Sequence, residues 1–579
     1  MIGLLFGATI GTNTASAEVI GDQHWITPVN SSPTHHSIVY QDEVTAISTY
    51  PRLTAERYSS DPTVWSRFLC SSTSDAHCQN VSQFSYQALF PVCQVASDVD
   101  CIEELTAISD SGQSQDAKFL SYTVPNHVNK FLPDATLGIP KTETPSLWDL
   151  PSAPHAFGTQ YVVVVGQAGS VKVGEYGNST QSQLFGYLVP VSKIDTRDLR
   201  NESPLNVSYD SIWETKSATG QSNTNGYAVS TDGCTMSLAE IGKCLTSHAF
   251  PDGFKYSLKI RLAKEPVAWL HGRMVDPSIS ISPLNGAVEM TVAAFSTKVP
   301  TFFLGIDSSQ LSLDQEGIWV ACFTNGTVCS AGGTKGGPAI DNYRTFTADY
   351  SKTLNLWINM YGYGATAIEG IRLLAPLVED KSQALPSAWS FHTLPTTQLE
   401  NADSCFATGP GLKGIVTTNS TAYSEGPPTF KDGSLQYTVA SAHYNPDGSV
   451  FKGTYNLVMR SDVARCLYKF TSAPIGASIE VVSQNGSQQV ATTAISEKDG
   501  WLHLAANGFT YSSPSIRIRL NQSVAVAVPT PSPVVSPAPK TAAPKVSVTK
   551  SITCVKGKSV KKITGANPKC PAGYKKKTV

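Results

Sequence analysis

Lysine dominates the C-terminal end of this chain of 579 residues. The last forty residues contain no Asp or Glu but eleven lysines, namely Lys540, Lys545, Lys550, Lys556, Lys558, Lys561, Lys562, Lys569, Lys575, Lys576 and Lys577. A dense set of ammonium groups without neutralising carboxylates is typical of a segment that binds an anionic polymer or surface. The chemistry that these residues indicate is therefore electrostatic binding.

The rest of the chain carries the opposite charge. The whole sequence has 43 Lys and Arg against 45 Asp and Glu, for a formal net charge of -2. Without the eleven tail lysines, 32 basic and 45 acidic residues remain, a net charge of -13. An acidic body joined to a cationic end indicates that the end binds something anionic that the body does not.

The twelve cysteines fall into pairs along the sequence: Cys70 and Cys78, Cys93 and Cys101, Cys234 and Cys244, Cys322 and Cys329, Cys405 and Cys466, Cys554 and Cys570. An even count in local pairs predicts disulfides formed in an oxidising compartment. Metal binding is the alternative, but zinc sites favour cysteines about two to four residues apart. We expect disulfides and no metal or cofactor, although sequence leaves the connectivity open because the first four cysteines allow three pairings.

The C-terminal cysteines frame a small basic unit. Two short β-prone runs flank Lys556-Gly557-Lys558-Ser559, and a bond between Cys554 and Cys570 would close a loop of about fifteen residues, worth roughly 3 kcal/mol. The sequence predicts a rigid, disulfide-closed hairpin that displays lysines to an anionic partner. The predicted binding set is Lys556, Lys558, Lys561, Lys562, Lys569, Lys575, Lys576 and Lys577.

The same residues carry a resemblance. Cys-Val-Lys-Gly-Lys, Lys-Lys-Ile-Thr-Gly and Pro-Lys-Cys-Pro-Ala-Gly-Tyr-Lys-Lys-Lys resemble a C-terminal tail shared by many otherwise different secreted proteins of Gram-positive actinobacteria. The body, especially residues 68–104 and 459–520, is similar to large secreted proteins of that group. The resemblance implies no established enzymatic activity. It implies an envelope that contains anionic teichoic-type polymers and lipids.

No enzyme signature stands out in the body. The sequence lacks the Gly-x-Ser-x-Gly elbow, the His-Glu-x-x-His zinc motif and the phosphate loop. The best polar cluster is His271, Arg273 and Asp276, between predicted strands. It is a weak ligand-site candidate, with a hydrogen-bonded loop as the alternative, and we predict no catalytic residues and lean against an enzyme.

The predicted organisation is modular. Residues 1–17 resemble a signal peptide without its basic start, followed by a Cys-rich mixed α/β region at 18–145, a mainly β domain at 146–390 and a β-sandwich-like domain at 391–522. A Pro-rich linker at 523–547 is expected to be extended, and the Lys-rich hairpin occupies 548–579. The predicted fold class is mainly β, with disulfide-pinned, β-sandwich-like modules and a few short helices.

Local patterns predict individual elements. Alternation of apolar and polar residues predicts strands at 256–262 and 516–520, and Asn485-Gly486 predicts a hairpin. Further strands are expected at 318–323, in a hairpin with Cys329, and at 466–470. Helices are expected at 101–105 after an acidic cap, at 236–241, and at 367–378 with a break at Pro376.

These features together predict a secreted, cell-envelope-associated surface protein. Its body would bind a ligand, with a glycan as the first candidate, and its tail would bind anionic wall polymers or a lipid surface. We expect no nucleic-acid partner, because no aromatic platform flanks the lysines, and no transmembrane helix in the mature chain. Two alternatives stay open: an extracellular hydrolase of envelope polymers, and a structural subunit of a surface layer or appendage that packs through exposed strand edges.

Overall fold

The structure is a computed structural model, which describes residues 25–26, 34–41, 50–58, 65–173, 179–195, 214–216, 222–224, 236–240, 243–324, 329–334, 354–394, 399, 402–407, 409–424, 426–483, 488–489, 491–511, 514–522, 550–565 and 567–577. The predicted signal peptide, the Pro-rich linker and the Asn485-Gly486 turn lie outside the described residues. The chain forms two compact units, residues 1–523 and 524–579. We call the first unit the body, and residues 550–577 of the second the tail sheet.

The fold is mainly β, as predicted. The first described strands of the body are β1 Trp25–Ile26, β2 Thr34–Gln41, β3 Arg52–Tyr58, β4 Trp65–Leu69, β5 Gln83–Leu89, β6 Cys101–Ser109, β7 Ser114–Asp116, β8 Lys118–Tyr122, β9 Ser146–Asp149, β10 Gln160–Lys172, β11 Ser179–Asp195, β12 Glu214–Lys216, β13 Ser222–Thr224, β14 Met236–Ser237, β15 Lys243–Ser247, β16 Phe254–Leu262, β17 Ala268–Arg273, β18 Val275–Leu284 and β19 Ala287–Phe295.

The later strands of the body are β20 Thr297–Asp307, β21 Cys329–Thr334, β22 Leu354–Tyr361, β23 Gln383–Ala388, β24 Ser390–Thr393, β25 Leu412–Thr418, β26 Ala422–Tyr423, β27 Thr429–Lys431, β28 Ser434–Ala440, β29 Gly453–Arg460, β30 Ile475–Val482, β31 Gln488–Gln489, β32 Thr492–Lys498, β33 Trp501–Phe509 and β34 Ser515–Gln522. The described α-helices are α1 Leu313–Thr324, α2 Ala365–Leu374, α3 Ser404–Ala407 and α4 Ser461–Tyr468, and short 3-10 turns lie at Ala76–Cys78, Ser308–Gln310 and Ala375–Val378.

One sheet of fifteen strands organises the body. Its main path is β32-β33-β29-β25-β17-β24-β11-β10-β5-β3-β4, so strands from all three predicted body regions meet in it. Near the middle, β17 runs parallel to β25, with Leu270 opposite Ile415, and antiparallel to β24. Every residue of β25 is buried, as expected for a strand that is covered on both faces of the sheet.

Smaller sheets cover the large sheet on both faces, which makes the body sandwich-like. On one face, Leu270 and Ile415 share a core with Tyr256, Leu258 and Ile260 of a five-stranded sheet in the order β18-β19-β16-β6-β7. On the other face, Trp269 and Val416 of the large sheet share a second core with a sheet in the order β26-β28-β34-β30-β31. Neighbouring residues of β17 therefore enter opposite cores, because side chains alternate along a strand.

Gly414 allows this close packing. A Cβ at Gly414 would lie 2.5 Å from both the Val458 carbonyl oxygen and the Trp269 ring. Because the oxygen belongs to the backbone of β29, it cannot move aside as a flexible side chain could. The fully buried Trp269 therefore requires glycine at this position.

The strands predicted from alternation are confirmed. Along β16 the apolar residues from Tyr256 to Leu262 are buried and the polar residues between them are half-buried. Along β34, Ile516, Ile518 and Leu520 are buried while Arg517 and Arg519 are exposed. β30 pairs with β31, with Val481 opposite Gln489, as expected for the hairpin predicted around residues 485 and 486.

Two predicted helices were wrong. Residues 101–105 belong to strand β6, and Met236 lies in β14 rather than in a helix. In β6 the acids that suggested a helix start form cross-strand ion pairs instead: Glu103 contacts Arg261 at 2.8 Å and Glu104 contacts Lys259 at 3.2 Å. A register shift between β16 and β6 lets both consecutive acids reach the neighbouring strand.

Two predicted strands are helices. Residues 318–323 belong to α1, so the predicted hairpin with Cys329 is not formed, and residues 466–468 belong to α4. Short apolar runs do not distinguish a strand from a buried helix segment. α4 begins with Asp462 in its first turn and buries Val463, Ala464 and Leu467 on one side. The helix predicted at 367–378 is confirmed as α2 followed by the 3-10 turn that contains Pro376.

Disulfides join neighbouring cysteine pairs, as predicted. The described bonds are Cys70–Cys78, Cys93–Cys101, Cys405–Cys466 and Cys554–Cys570. Cys244 is also disulfide-bonded. The side chains of Cys234, Cys322 and Cys329 lie outside the described part of the chain.

Candidate functional site

The tail sheet consists of three strands, β35 Lys550–Lys556, β36 Ser559–Gly565 and β37 Lys575–Lys576, with β35 in the middle. β35 and β36 form the predicted hairpin, with Lys556 opposite Ser559. Gly557 occupies the turn with φ of +57°, a left-handed conformation that glycine adopts without strain. The third strand had not been predicted, because a run of lysines has low β-propensity.

The disulfide organises this small unit. Cys554 on the central strand is bonded to Cys570 and is fully buried, although the sheet has few apolar residues. The Lys561 ammonium lies 5.4 Å from the centre of the Tyr574 ring, a cation–π geometry. The bond and this contact hold the segment between β36 and β37 against one side of the sheet.

All eight lysines predicted to bind the envelope are exposed. Lys550 is exposed as well, so residues 550–577 present nine lysines, and the sequence there contains no Asp or Glu. Within the tail sheet these ammonium groups can form no ion pair. The arrangement can therefore bind multivalent anions by charge and by hydrogen bonding.

The predicted cluster of His271, Arg273 and Asp276 is only partly assembled. His271 and Arg273, at opposite ends of a three-residue stretch of β17, are 1% and 0% exposed. The His271 ring stacks on the Tyr423 ring, with 3.9 Å between centroids, and the Arg273 guanidinium lies 4.8 Å from the same ring. Asp276 lies apart from them on the surface, where it contacts Lys255 at 3.0 Å.

Arg273 stabilises a buried loop. Its Nη1 donates hydrogen bonds to the carbonyl oxygens of Thr418 and Ser420, at 3.1 and 2.7 Å. These carbonyls flank Asn419, which is itself 5% exposed. Because His271 and Arg273 are both enclosed, they contact other parts of the protein rather than a ligand: Arg273 positions this loop, and His271 packs on Tyr423.

Asn419 lines a cavity of about 330 Å³ in the body. Its amide donates to the Lys452 carbonyl at 2.9 Å, and its oxygen accepts from the Thr454 amide at 2.8 Å and from the Tyr511 hydroxyl. These contacts fix its orientation at the cavity wall.

The rest of the lining combines charged, polar and aromatic groups. Asp252, Lys298, Lys452 and Asn445 supply the charged and amide groups, while Phe250 and Phe451 supply apolar walls. In the described part of the body, neither Asp252 nor the two lysines form an ion pair. The cavity is large enough for a small polar ligand such as one or two sugar rings.

Sequence reasoning missed this cavity. Its lining comes from segments 250–252, 296–298, 419 and 445–452, which are far apart in the chain. No segment contains a recognisable motif. The only usable signal was the Asn445-Pro446-Asp447-Gly448 turn, which predicts a loop but not what it faces.

A serine and a histidine form a second polar pair that sequence reasoning missed. Ser192 Oγ lies 2.7 Å from His248 Nε2, where the end of β11 meets the end of β15. The His248 ring stacks on the His155 ring and on the Phe157 ring. Burial, with a smaller contribution from His155, lowers the pKa of His248 to about 4, so its imidazole is neutral at pH 7.

Ser192 and His248 lie as close as a nucleophile and its general base do. The described residues do not supply the third member of a catalytic triad. No described residue hydrogen-bonds His248 Nδ1, the atom that an orienting carboxylate would contact. The described residues also contain no cluster of three His, Cys, Asp or Glu side chains suited to a metal ion.

None of the described helices combines the length and the apolar character that crossing a membrane requires.

No family model, curated protein or solved structure matches this chain.

Proposed function

We propose that this protein is a secreted, cell-envelope-associated surface protein that the tail sheet attaches to anionic polymers. The observation that carries the proposal is the set of nine exposed lysines on a disulfide-closed sheet without a single acid. The disulfides of the body support an oxidising location. Tail lysines and disulfides are both consistent with the resemblance in the C-terminal motif.

Cell fractionation tests the attachment. Three chains are secreted from a Gram-positive host: the full chain, a chain that ends at Asn521, and a full chain with the eight predicted tail lysines changed to Gln. The full chain should stay with the wall and be released by high salt, because salt screens charge attraction. Both variants should enter the medium. If all three fractionate alike, the tail does not attach the protein.

For the body, we propose binding of a ligand, with a saccharide as the class that the cavity favours. Sugar hydroxyls need donors and acceptors at short range, which Asp252, Asn445 and the two cavity lysines supply. The Phe250 and Phe451 side chains provide apolar surface next to them. This part of the proposal rests on the composition and size of the cavity.

A combined glycan-array and turnover screen tests it. The protein used is the full chain with neutralised tail lysines, so that the tail cannot retain acidic glycans. Asp252→Asn should weaken binding about tenfold or more, whereas Asp499→Asn, on a turn where the side chain is 82% exposed, should leave it unchanged. Equal effects of the two substitutions would exclude the cavity as the binding site.

One observation favours the hydrolase alternative, the Ser192–His248 pair. If the turnover screen finds hydrolysis and Ser192→Ala abolishes it, the body is an enzyme rather than a binding module. Turnover that survives Ser192→Ala would assign the activity to other residues.

One observation favours the structural alternative. β32 forms an edge of the fifteen-stranded sheet, and all seven of its residues are exposed. Such an edge can pair with another copy of the chain. Ordered assemblies in sedimentation experiments, lost in an Ile495→Lys variant, would support a surface-layer or appendage subunit.

A further inference from the structure

The strand register divides the side chains of the tail sheet between two faces. Residues directly opposite one another in neighbouring strands point to the same side. Cys554 is opposite Lys561 in β36 and Lys576 in β37, and these residues share their face with Lys550 and Lys556. Because this side carries the disulfide to Cys570, we call it the closed face.

The opposite side, the open face, has a different composition. Thr553 is opposite Lys562, and Val555 is opposite Val560 and Lys575. The Lys577 amide donates to the Thr553 carbonyl at 2.8 Å, which continues the register by one residue. The open face is formed by Ser551, Thr553, Val555, Val560, Lys562, Thr564, Lys575 and Lys577.

Two of the four lysines on the closed face contact the tail sheet itself. Lys561 lies over the Tyr574 ring at 5.4 Å. The Lys556 side chain lies against Gly573, where an added Cβ would be only 3.1 Å from the ammonium nitrogen. The segment between β36 and β37, which contains Gly573 and Tyr574, therefore restricts the approach of a large partner to this face.

The open face has no comparable cover among the described residues of the tail sheet. Val560 is 63% exposed there. Lys562 lies on one edge strand, and Lys575 and Lys577 lie on the other side of the central strand. With strands about 4.8 Å apart, Lys562 is separated from Lys575 and Lys577 by roughly 10 Å. Thr553 and Val555 form the floor between them.

We propose that the open face is the polymer-binding surface, and that it binds a linear phosphodiester polymer along β35, between Lys562 on one side and Lys575 and Lys577 on the other. The inference rests on the proposed attachment function and deepens it. Charge complementarity commits the partner to a polyanion, because the tail sheet has nine lysines and no acid. Ser551, Thr553 and Thr564 add hydroxyl donors for phosphate oxygens.

Two features bear on the kind of anion that the open face binds. Every cation of the tail sheet is lysine, a compact point charge with three donors that binds phosphate oxygens without the fixed bidentate geometry of arginine. The open face also lacks an aromatic side chain, and aromatic anchors are typical of membrane-surface segments. A free polymer therefore fits this face better than a lipid surface.

The test compares two full-length variants with the same loss of charge. The open-face variant carries Lys562→Gln, Lys575→Gln and Lys577→Gln. The closed-face variant carries Lys550→Gln, Lys556→Gln and Lys576→Gln, and leaves the Lys561–Tyr574 contact intact. Binding is measured by titration with polyglycerol phosphate, with polygalacturonate, and with vesicles that contain anionic lipid.

We expect the open-face variant to bind polyglycerol phosphate at least about tenfold more weakly, because it loses three of the charges that face the polymer. The closed-face variant should lose less than about threefold. Lys→Arg at the three open-face positions should restore most of the affinity, which separates loss of charge from misfolding. Amide hydrogen exchange of β35 should be the same in all variants.

Each other outcome is decisive. An equal loss in both variants means that total charge alone matters, which overturns the open face but not the attachment function. If the unmodified chain binds none of the probes, the attachment function itself fails. Tighter binding to vesicles than to polyglycerol phosphate would make the partner a lipid surface, and tighter binding to polygalacturonate would make it a carboxylate polymer.

Discussion

The body and the tail sheet use charged side chains in different ways. In the body, Glu103 pairs with Arg261 across two strands, and the enclosed Arg273 donates to two backbone carbonyls. In the tail sheet, nine lysines are exposed and none can find a carboxylate in its own strands. These charges of the body thus stabilise its own fold, while those of the tail sheet are not paired with acids of their own unit.

The comparison extends to what stabilises each unit. The body has two large cores on either side of the central sheet. The tail sheet buries Cys554 and little else. Its stability therefore depends on one covalent bond, whereas that of the body is distributed over many contacts.

The largest expected effect follows from removing that bond. Cys554→Ser with Cys570→Ser should destabilise the tail sheet by about 3 kcal/mol, enough to unfold so small a unit. Hydrogen exchange would show loss of protection in β35 and β36, with the melting temperature of the body unchanged. As a control, Cys93→Ser with Cys101→Ser should leave the tail protected. A lower melting temperature of the body in the tail variant would contradict the independence of the two units.

The next effect is in the body. Arg273→Met removes the donor from the carbonyls of Thr418 and Ser420, and unpaired buried polar groups cost about 1–3 kcal/mol each. We expect the free energy of unfolding of the body to fall by roughly 3 kcal/mol in urea titrations. Arg517→Met, at an exposed position of β34, should change it by less than about 0.5 kcal/mol. Similar losses in both variants would exclude the proposed support of the loop.

Acidification should lower the stability of the body but not that of the tail sheet. Burial lowers the pKa of His248 and of His127 to about 4 and also lowers the pKa of His155. These histidines therefore bind fewer protons in the folded state than in the unfolded state, where the reference pKa is about 6.5. The contribution of these histidines to the free energy of unfolding of the body should be fully present above pH 6.5 and should be lost as the pH falls towards 4.

Calorimetry at several pH values measures this effect. His248→Gln should flatten the decrease of melting temperature between pH 6.5 and 4, by roughly 2 °C. The tail sheet has no His, Asp or Glu, so its hydrogen-exchange protection, corrected for the intrinsic exchange rate, should not change over this range. A slope unaffected by the substitution would mean that His248 is not buried in neutral form.

The smallest expected effect on stability comes from the removal of a single charged group. Glu103→Gln breaks the contact with Arg261 and should destabilise the body by about 0.5–1 kcal/mol in urea titrations. Lys558→Gln removes one of many like charges and should leave the tail sheet equally or slightly more protected from hydrogen exchange. If Lys558→Gln instead destabilises the tail sheet, its lysines stabilise the fold as the charges of the body do.

The sequence predicted the parts of the structure that depend on local patterns. The alternation in β16 and β34, the local disulfides and the tail hairpin all follow from residues close together in the chain. Strand β6 could not be predicted, because the arginine and lysine that pair with its acids lie about 155 residues away. Helices α1 and α4 were missed because a short apolar run fits either type of element.

The candidate sites show the same limit. The lysines of the tail sheet could be read from composition, but their division between two faces needed the register of three strands. His271 and Arg273 are near each other in sequence, yet Tyr423, which they both contact, lies about 150 residues later. The cavity at Asn419 is assembled from four distant segments, and the turn at residues 445–448 predicts a loop but not the cavity that it lines.

Because of the bond between Cys554 and Cys570, the folding of the tail sheet also depends on the redox potential around it. Formation of a disulfide is governed by the redox potential of the compartment. In a reducing compartment the same residues would be a cationic but unfolded segment, without two distinct faces. Oxidation would therefore be the step that gives the tail sheet its two faces, and with them the selective binding proposed above.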